Sequence, residues 1–284
     1  MDAPKPTVDA LPPLDMALAC EQAGVTKSCR DGVTLVLLGI LAGAFIALGA
    51  VAMIAVMTGA TALPWGLGRA LGGIAFSLGL ILVIVGGAEL FTGDCLMVIA
   101  WASRRITLIA LLRAWGLVYI GNLIGGLVTA ILVYLSNGYL LNGGMVGKTV
   151  LTMAAAKAAL PTEPLFFLAI LCNVLVCLAV WMTLSARSTA DKVMVIVPAV
   201  TAFIAAGFEH SIANAFILPY ALLIKVGADA SFWSSIAATP ESFAALTAGN
   251  ALHNIVVSTL GNWLGGSTLV GGVYWFIYLR RRPA

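Results

Sequence analysis

The chain alternates long apolar runs with short polar connections. Six runs are long enough, at 1.5 Å per helical residue, to cross a bilayer core of about 30 Å. They lie at about Val33–Met57, Ala70–Trp101, Ile106–Leu135, Pro164–Ser185, Val193–Ile224 and Phe243–Leu279. This pattern predicts an all-α polytopic membrane protein with six spans.

Two of the runs, the second and the fifth, are longer than a single span requires. Each contains a glycine followed two positions later by a glutamate, Glu89 in the second run and Glu209 in the fifth. A glycine beside polar residues is a position where a long apolar helix can break into two halves. We therefore predict that the second and fifth helices are broken. We expect each glutamate to anchor its loop by accepting from the free N–H groups of the next half-helix, and Asp94 to cap the half-helix after the first break.

A short motif, Gly-Asn-x-x-Gly-Gly, occurs in the third run at 121–126 and again in the sixth run at 261–266. Together with the two Gly-x-Glu motifs, it indicates two copies of a three-span unit, at about 33–135 and 164–279. Because three is odd, the second copy must be inverted. The spaced glycines suit close helix packing. Asn122 and Asn262 can bond the free backbone groups of a broken helix, and for Asn262 lining of a path is an equal alternative.

Composition agrees with a membrane protein. Hydrophobic residues make up 61% of the chain, charged residues 10%, and the mean hydropathy is +1.06. The net charge of +3 indicates no nucleic-acid surface. The five cysteines lack CxxC spacing and are predicted to be reduced packing residues. With two histidines in the chain, no metal cluster of ordinary ligand count is expected, and no cofactor is predicted.

Basic residues fall at alternate ends of the runs, which is the pattern of loops on the cytoplasmic side. They are Lys5, Lys27, Arg30, Arg104, Arg105, Arg187, Lys192 and Arg280 to Arg282. This predicts a multi-pass protein of the cell inner (cytoplasmic) membrane with both termini cytoplasmic. Residues 1–32 are expected to form a disordered tail, Met1 to Pro13, and a short amphipathic helix. Residues 33–279 are expected to form the transmembrane domain, and 280–284 a second tail.

That short helix is predicted at Leu14 to Arg30, with Leu14, Leu18, Ala19 and Gln22 along one side. Two placements remain open for it. It either lies on the inner face of the membrane or packs under the bundle as a soluble helix.

The most informative residue is His210, which follows Glu209 in the middle of the fifth run. Polar groups at this depth are costly and indicate a functional site. An imidazole changes charge within the physiological pH range. It can therefore offer a hydrogen bond or a positive charge to an anion halfway across the membrane.

Three stretches, namely Phe91-Thr92-Gly93 after a glutamate, residues 207–214 and Gly261-Asn262, together resemble the formate/nitrite transporter family. That resemblance covers about Leu14 to Arg280 and implies a homopentamer of aquaporin-like protomers, each with one pore. It implies a central His210 bonded to Thr92, a vestibule cation at Lys157, pore-lining Asn173 and Asn262, and gating by the loop after Thr92. It also implies apolar constrictions at Phe76, Leu80, Leu90, Val176 and Phe203.

The predicted function is a channel or transporter for small monovalent weak-acid anions, most simply formate, with nitrite, hydrosulfide or lactate as alternatives. Lys157 would collect the anion as a lone ammonium. His210 would then donate a hydrogen bond or a proton, giving export as the anion and import as the neutral acid. The partners of the protein would be the small anion and the lipid bilayer.

Two other classes are weighed against this function. A water or glycerol channel has a similar fold, but the paired Asn-Pro-Ala motifs are absent. An intramembrane hydrolase would need Ser211 to face His210, yet adjacent helical residues do not face each other, and no Gly-x-Ser-x-Gly or His-Glu-x-x-His occurs. The sequence thus does not favour an enzyme.

Overall fold

The computed structural model describes residues 10–281, without the side chain of Thr61, and no strand occurs in that range. Parts of both predicted tails, residues 1–9 and 282–284, lie outside the described residues. The helices are α1 (Pro13–Ser28), α2 (Gly32–Met57), α3 (Trp65–Gly86), α4 (Phe91–Asp94), α5 (Val98–Ala102), α6 (Leu108–Leu135), α7 (Met145–Ala158), α8 (Thr162–Thr183), α9 (Thr189–Ala206), α10 (Ser211–Gly227), α11 (Ala230–Ser235), α12 (Ala248–Leu264) and α13 (Val273–Tyr278).

Five helices are long and apolar enough to cross a membrane: α2, α3, α6, α8 and α9. The last predicted run is helical from Ala248 to Tyr278, with a π-helix over Gly265–Gly272 between α12 and α13. The many apolar side chains left exposed on these helices suit a hydrocarbon surrounding.

The second and fifth runs leave the helical conformation where the glycines predicted a break. The first break lies between α3 and α4, and the second between α9 and α10. Gly87 (φ 79°) and Gly207 (φ 77°) both adopt left-handed backbone at the end of the preceding helix. Only glycine takes that conformation without a steric cost, which explains why both breaks carry this residue.

The motif glycines allow close approach of neighbouring helices, as predicted. A Cβ atom at Gly121 would come 2.5 Å from the carbonyl oxygen of Val36 in α2. One at Gly261 would come 2.6 Å from the carbonyl oxygen of Phe166 in α8. A side chain at either position would push the paired helices apart.

The N-terminal helix α1 packs against the bundle, in contact with α5, α6 and α13. Its buried residues are Met16, Ala17, Cys20, Glu21 and Gly24. The predicted apolar side of α1 was therefore wrong, since Leu14 is 44% exposed. Because α1 packs on protein, its Glu21 can be buried next to a cation. Arg105 donates to the Glu21 carboxylate at 3.0 Å.

Candidate functional site

Asn262 ties the second break together. Its side-chain oxygen accepts from the backbone N–H of Ser211 at 2.8 Å, and its Nδ2 donates to the backbone oxygens of Ala169 and Glu209 at 2.7 and 2.9 Å. Asn262 is fully buried. Its carboxamide therefore supplies the partners that the broken helix can no longer provide.

The first break has the same construction around Asn122. Its side-chain oxygen accepts from the backbone N–H of Phe91 at 2.9 Å, and its Nδ2 donates to the backbone oxygens of Gly39 and Glu89 at 2.8 and 2.9 Å. Both asparagines therefore tie a break together, and lining of the path by Asn262 stays a prediction.

The prediction that the glutamates accept from half-helix N–H groups was wrong, because the carboxamides occupy those donors. Glu209 instead accepts from the Lys157 ammonium at 2.8 Å and from Asn214 at 2.7 Å. Asn254 extends this cluster, since it accepts from Asn214 at 2.7 Å and donates to the backbone oxygen of Lys157 at 3.0 Å. Lys157 is therefore half of an ion pair, and the expectation of a lone ammonium was also wrong.

At the first break the glutamate is again paired with cations. Glu89 contacts Arg30 and the Lys27 ammonium, the latter at 2.6 Å. The same ammonium contacts Asp94 at 2.5 Å. Burial alone would lower the pKa of Lys27, but the carboxylates of Asp94 and Glu89 outweigh it, so the pKa of Lys27 is raised.

Asp94 does not cap a helix. It is the last residue of α4, and its side chain makes no capping bond. The half-helix begins three residues earlier, at Phe91. The Asp94 carboxylate forms an ion pair with Lys27 instead. The predicted cap was therefore wrong, whereas the contact joins the loop after the first break to α1.

A cavity of about 550 Å³, which we call the vestibule, opens beside the second break. Five of the residues singled out in the sequence line it: Phe76, Lys157, Phe203, Glu209 and His210. Other lining residues are mostly apolar or polar uncharged, except for the basic Arg69 and Lys148. The vestibule is thus an apolar chamber with cationic side chains on its wall.

Two phenylalanines stand next to the histidine in this cavity. The rings of Phe76 and Phe203 meet edge to face with centroids 5.8 Å apart, and Phe203 stacks near His210 at 6.1 Å. Both phenylalanines are 1% exposed. The two rings therefore form an apolar wall next to the imidazole.

His210 spans the two breaks. Its Nδ1 accepts from the backbone N–H of Ala213 at 3.1 Å, which makes it the N-cap of α10. In the neutral ring the proton is therefore on Nε2, which lies 3.1 Å from the Thr92 hydroxyl oxygen. The threonine accepts this bond and its own hydroxyl hydrogen is free to point elsewhere.

The remaining predicted site residues lie beyond the vestibule. Asn173 donates to the backbone oxygens of Thr92 and Asn262 at 3.1 and 2.6 Å. The apolar residues Leu80, Leu90 and Val176 are buried in the same hydrophobic cluster as Phe76 and Phe203. Within residues 10–281, no three His, Cys, Asp or Glu side chains form a group suited to a metal ion.

Sequence reasoning missed the roles of five polar residues, which are Lys27, Arg30, Arg69, Asn214 and Asn254. Asn214 lies in the stretch after His210, five positions beyond Glu209, and a carboxamide so close to a carboxylate in an apolar run was a usable signal. Arg69 lies outside every motif, at the start of α3, and nothing in the local pattern distinguishes it from an interfacial arginine.

Comparison with known proteins identifies similar chains over nearly the full length. A family model described as formate/nitrite transporter matches residues 14–276. The formate channel FocA of Escherichia coli K12 is 44% identical over 273 residues, covering 96% of both chains. The formate channel FocA of Haemophilus influenzae is 35% identical over 263 residues, covering 92% of this chain and 93% of that one.

Solved structures give the same result. A pentameric formate channel with formate bound is 42% identical, with a TM-score of 0.83, covering 88% of this chain and 98% of that chain. An FNT family ion channel is 28% identical, with a TM-score of 0.79 and coverage of 93% and 98%.

Proposed function

Because this chain belongs to the formate/nitrite transporter family, we propose that it conducts small monovalent weak-acid anions, formate first among them, across a membrane. The observation that best supports this proposal is the hydrogen bond of 3.1 Å between His210 Nε2 and the Thr92 hydroxyl at the floor of the vestibule. The formate channels similar to this chain support the choice of substrate. Nitrite, hydrosulfide and lactate are the competing substrates in the test below.

The path begins in the vestibule, where the cationic wall draws an anion from water. The anion then passes the rings of Phe76 and Phe203 and reaches Thr92. Because Thr92 accepts from the imidazole, its hydroxyl hydrogen is available to the anion. Neutral hydrogen-bond donation lowers the cost of a bare charge without adding an opposite charge that would trap it. Leu80, Leu90 and Val176, which are buried in the same hydrophobic cluster as the two rings, complete the apolar constriction.

The proton enters the path through the imidazole ring of His210. A second proton on His210 has to occupy Nδ1 and break the bond from Ala213 N–H, while Lys157 and Glu209 are the charged groups beside it. An anion therefore passes alone while the imidazole of His210 is neutral, and it passes together with a proton at acidic pH. Inward movement of a bare anion opposes a negative-inside potential by about 2.3 kcal/mol per 100 mV, which the accompanying proton removes.

Within this proposal the fold is an aquaporin-like bundle of two inverted repeats, about 33–135 and 164–279, inside a channel domain of residues 33–279. The matched bonds of Asn122 and Asn262 support it, since each joins its break to the first helix of its own unit. The tails are residues 1–32, which include α1, and 280–284.

We assign both termini to the cytoplasmic side of the cell inner membrane. The ion pair between Arg105 and Glu21 supports this orientation, because it joins α1 to the basic turn after α5. In this orientation the vestibule opens to the outside. A homopentamer with one pore per protomer is the assembly, supported by the similar pentameric formate channel.

The test is uptake of labelled formate by proteoliposomes that contain the purified protein. We expect saturable uptake that exceeds that of empty liposomes, and a change in both its rate and its pH profile in His210→Phe. A panel of formate, nitrite, hydrosulfide and lactate over a pH series ranks the substrates, and osmotic water flux measured on the same vesicles tests a water channel.

Unchanged rate and pH dependence in His210→Phe would refute the role of the histidine. Water flux without anion uptake would refute the proposed function itself.

A further inference from the structure

The positive charge of Lys157 is compensated. Its ammonium lies 2.8 Å from the Glu209 carboxylate, and both side chains are mostly buried. An ion pair of this kind has no net charge and exerts a weak field on an approaching anion. Another group must supply the attraction that a bare anion needs at the vestibule floor.

Arg69 lies on that wall and has neutral partners. Its Nε donates to the carbonyl oxygen of Ala205 at 2.9 Å and its Nη2 to that of Ile204 at 2.6 Å. The guanidinium also lies over the Trp65 ring at 5.2 Å. In the described part of the chain, no carboxylate oxygen comes within 4.0 Å of its nitrogens. Arginine stays protonated in proteins, so Arg69 keeps its charge without an ion-pair partner. Glu209, whose charge also acts on Arg69, is bound to Lys157.

The two carbonyls belong to the last turn of α9, which ends at Ala206 beside the vestibule. The Ile204 carbonyl also accepts from the backbone N–H of Gly207 at 3.1 Å, whereas for the Ala205 carbonyl Arg69 is the donor. The carbonyls of a last helical turn together carry about half a negative charge. Phe203 and His210 lie one turn away on either side of this helix end. Without Arg69, the end of α9 would repel an anion at the point where the anion meets the phenylalanine rings.

We propose that Arg69 is the residue that recruits and positions the anion at the vestibule floor. It caps the carbonyls of α9 and places its full charge next to the second break, where Gly207 leaves room for the guanidinium. Two of its five N–H groups serve the carbonyls, and the others are available to a carboxylate or an anion of similar size. This inference rests on the proposed function.

The experiment separates charge from structure within one protein preparation. Arg69→Cys is made in a Cys29→Ser background, because Cys29 is exposed and the other four cysteines are buried. The purified variant is divided and treated with a cationic, a neutral or an anionic methanethiosulfonate reagent. Each portion is reconstituted, and formate uptake is measured at low and high ionic strength.

Fields focused in a cleft raise arrival rates by about 10- to 1,000-fold. We therefore expect Arg69→Cys to lose about tenfold in uptake at low salt. The cationic reagent restores a large part of it, the neutral reagent none, and the anionic reagent lowers it further. The advantage of the cationic form shrinks at high salt because mobile ions screen the charge. A purely structural cap would respond to none of these charge differences.

Lys225 provides a matched control. Its ammonium also donates to two carbonyl oxygens, those of Phe243 and Leu246, at 2.9 Å each, and it does not line the vestibule. Lys225→Gln should leave uptake and its salt dependence unchanged. If the cysteine variant does not assemble, Arg69→Lys and Arg69→Gln give the same comparison, with uptake kept in the first and lost in the second.

Equal uptake with the cationic, neutral and anionic reagents, or full uptake in Arg69→Gln, would overturn this assignment. These results differ from a failure of the proposed function. In that case the unmodified protein itself would carry no formate above empty liposomes.

Discussion

Replacing Lys27 by methionine tests the ion cluster that holds α1 under the first break. The ammonium lies 2.6 Å from Glu89 and 2.5 Å from Asp94, whose side chains are 4% and 3% exposed. Methionine keeps the apolar stem of the lysine and removes the charge. Glu89 retains Arg30, but Asp94 has no second cation among the described residues.

Removing one partner of a buried ion pair costs about 3–5 kcal/mol, because the other charge is left without compensation. Lys27 is 28% exposed, so water reaches the site and the lower end of this range, about 3 kcal/mol, is expected. The double variant Lys27→Met/Asp94→Asn removes the uncompensated charge and should recover part of this loss. Arg105→Met breaks a more exposed pair of α1 and should cost about 1 kcal/mol or less.

The assay is thermal unfolding of the purified protein in detergent. A loss of 3 kcal/mol corresponds to a fall in Tm of about 6 °C or more. The raised pKa of Lys27 means that its contribution is complete below about pH 10.4 and is lost only as pH rises through the folded value. Measurements between pH 6 and 8 therefore compare the Lys27→Met variants with an unmodified protein in which Lys27 is fully charged. A Tm for Lys27→Met no lower than that of Arg105→Met, or a double variant less stable than the single, would refute the reasoning.

Three further predictions use the same unfolding assay. Asn262→Leu and Asn122→Leu each orphan a buried N–H and a buried carbonyl and should both cost at least about 2 kcal/mol; a Tm within 1 °C of the unmodified protein would contradict the tying role. Gly261→Ala places a Cβ 2.6 Å from a carbonyl of α8 and should cost about 1–3 kcal/mol, whereas Gly66→Ala meets nothing within 4 Å and should be tolerated. Asp31→Ala removes the N-cap of α2, where hydrogen bonds lower the aspartate pKa. The part of its Tm deficit that depends on the aspartate charge should be present above pH ~4 and be lost as pH falls through the folded value; an equal deficit at pH 2 would contradict this.

The helices were the most predictable part of this protein. A bilayer leaves no water for free backbone groups, so apolar runs of sufficient length have to be helical. The run predicted at Val33–Met57 and the helix observed at Gly32–Met57 differ by one residue at the start. The breaks were predictable for a related reason, since a glycine beside a glutamate interrupts both the hydrophobicity and the backbone conformation.

The face of α1 was not predictable by the same means. This helix packs on protein, so neighbouring side chains decide which residues are buried. Gly24 shows the reason, because a Cβ there would come 2.9 Å from the Cβ of Ala100. Glu21 is buried because Arg105 is near it. Neither contact is visible in a local pattern of apolar residues.

The partners of the glutamates were missed because two kinds of acceptor competed for the same donors. A carboxamide can accept from the half-helix N–H and donate to two carbonyls at once, as Asn262 does. A carboxylate has no donor, so in that place it would leave the carbonyls unsatisfied. Glu89 and Glu209 therefore turn to lysine, and those lysines come from helices outside the motifs.

The numbering of those lysines shows a further correspondence. Leu38 and Leu168, whose carbonyls accept from Glu89 N–H and Glu209 N–H, are 130 positions apart, and so are Lys27 and Lys157. The proposed repeat therefore extends to α1 and α7, which supply equivalent cations to equivalent carboxylates. The halves differ at the residue after each glutamate, Leu90 in one and His210 in the other. The hydrogen bonds and ion pairs around both positions are duplicated. They therefore cannot explain selectivity for a weak acid. Within the proposed function, that selectivity is assigned to the imidazole and to the charges on its side of the membrane.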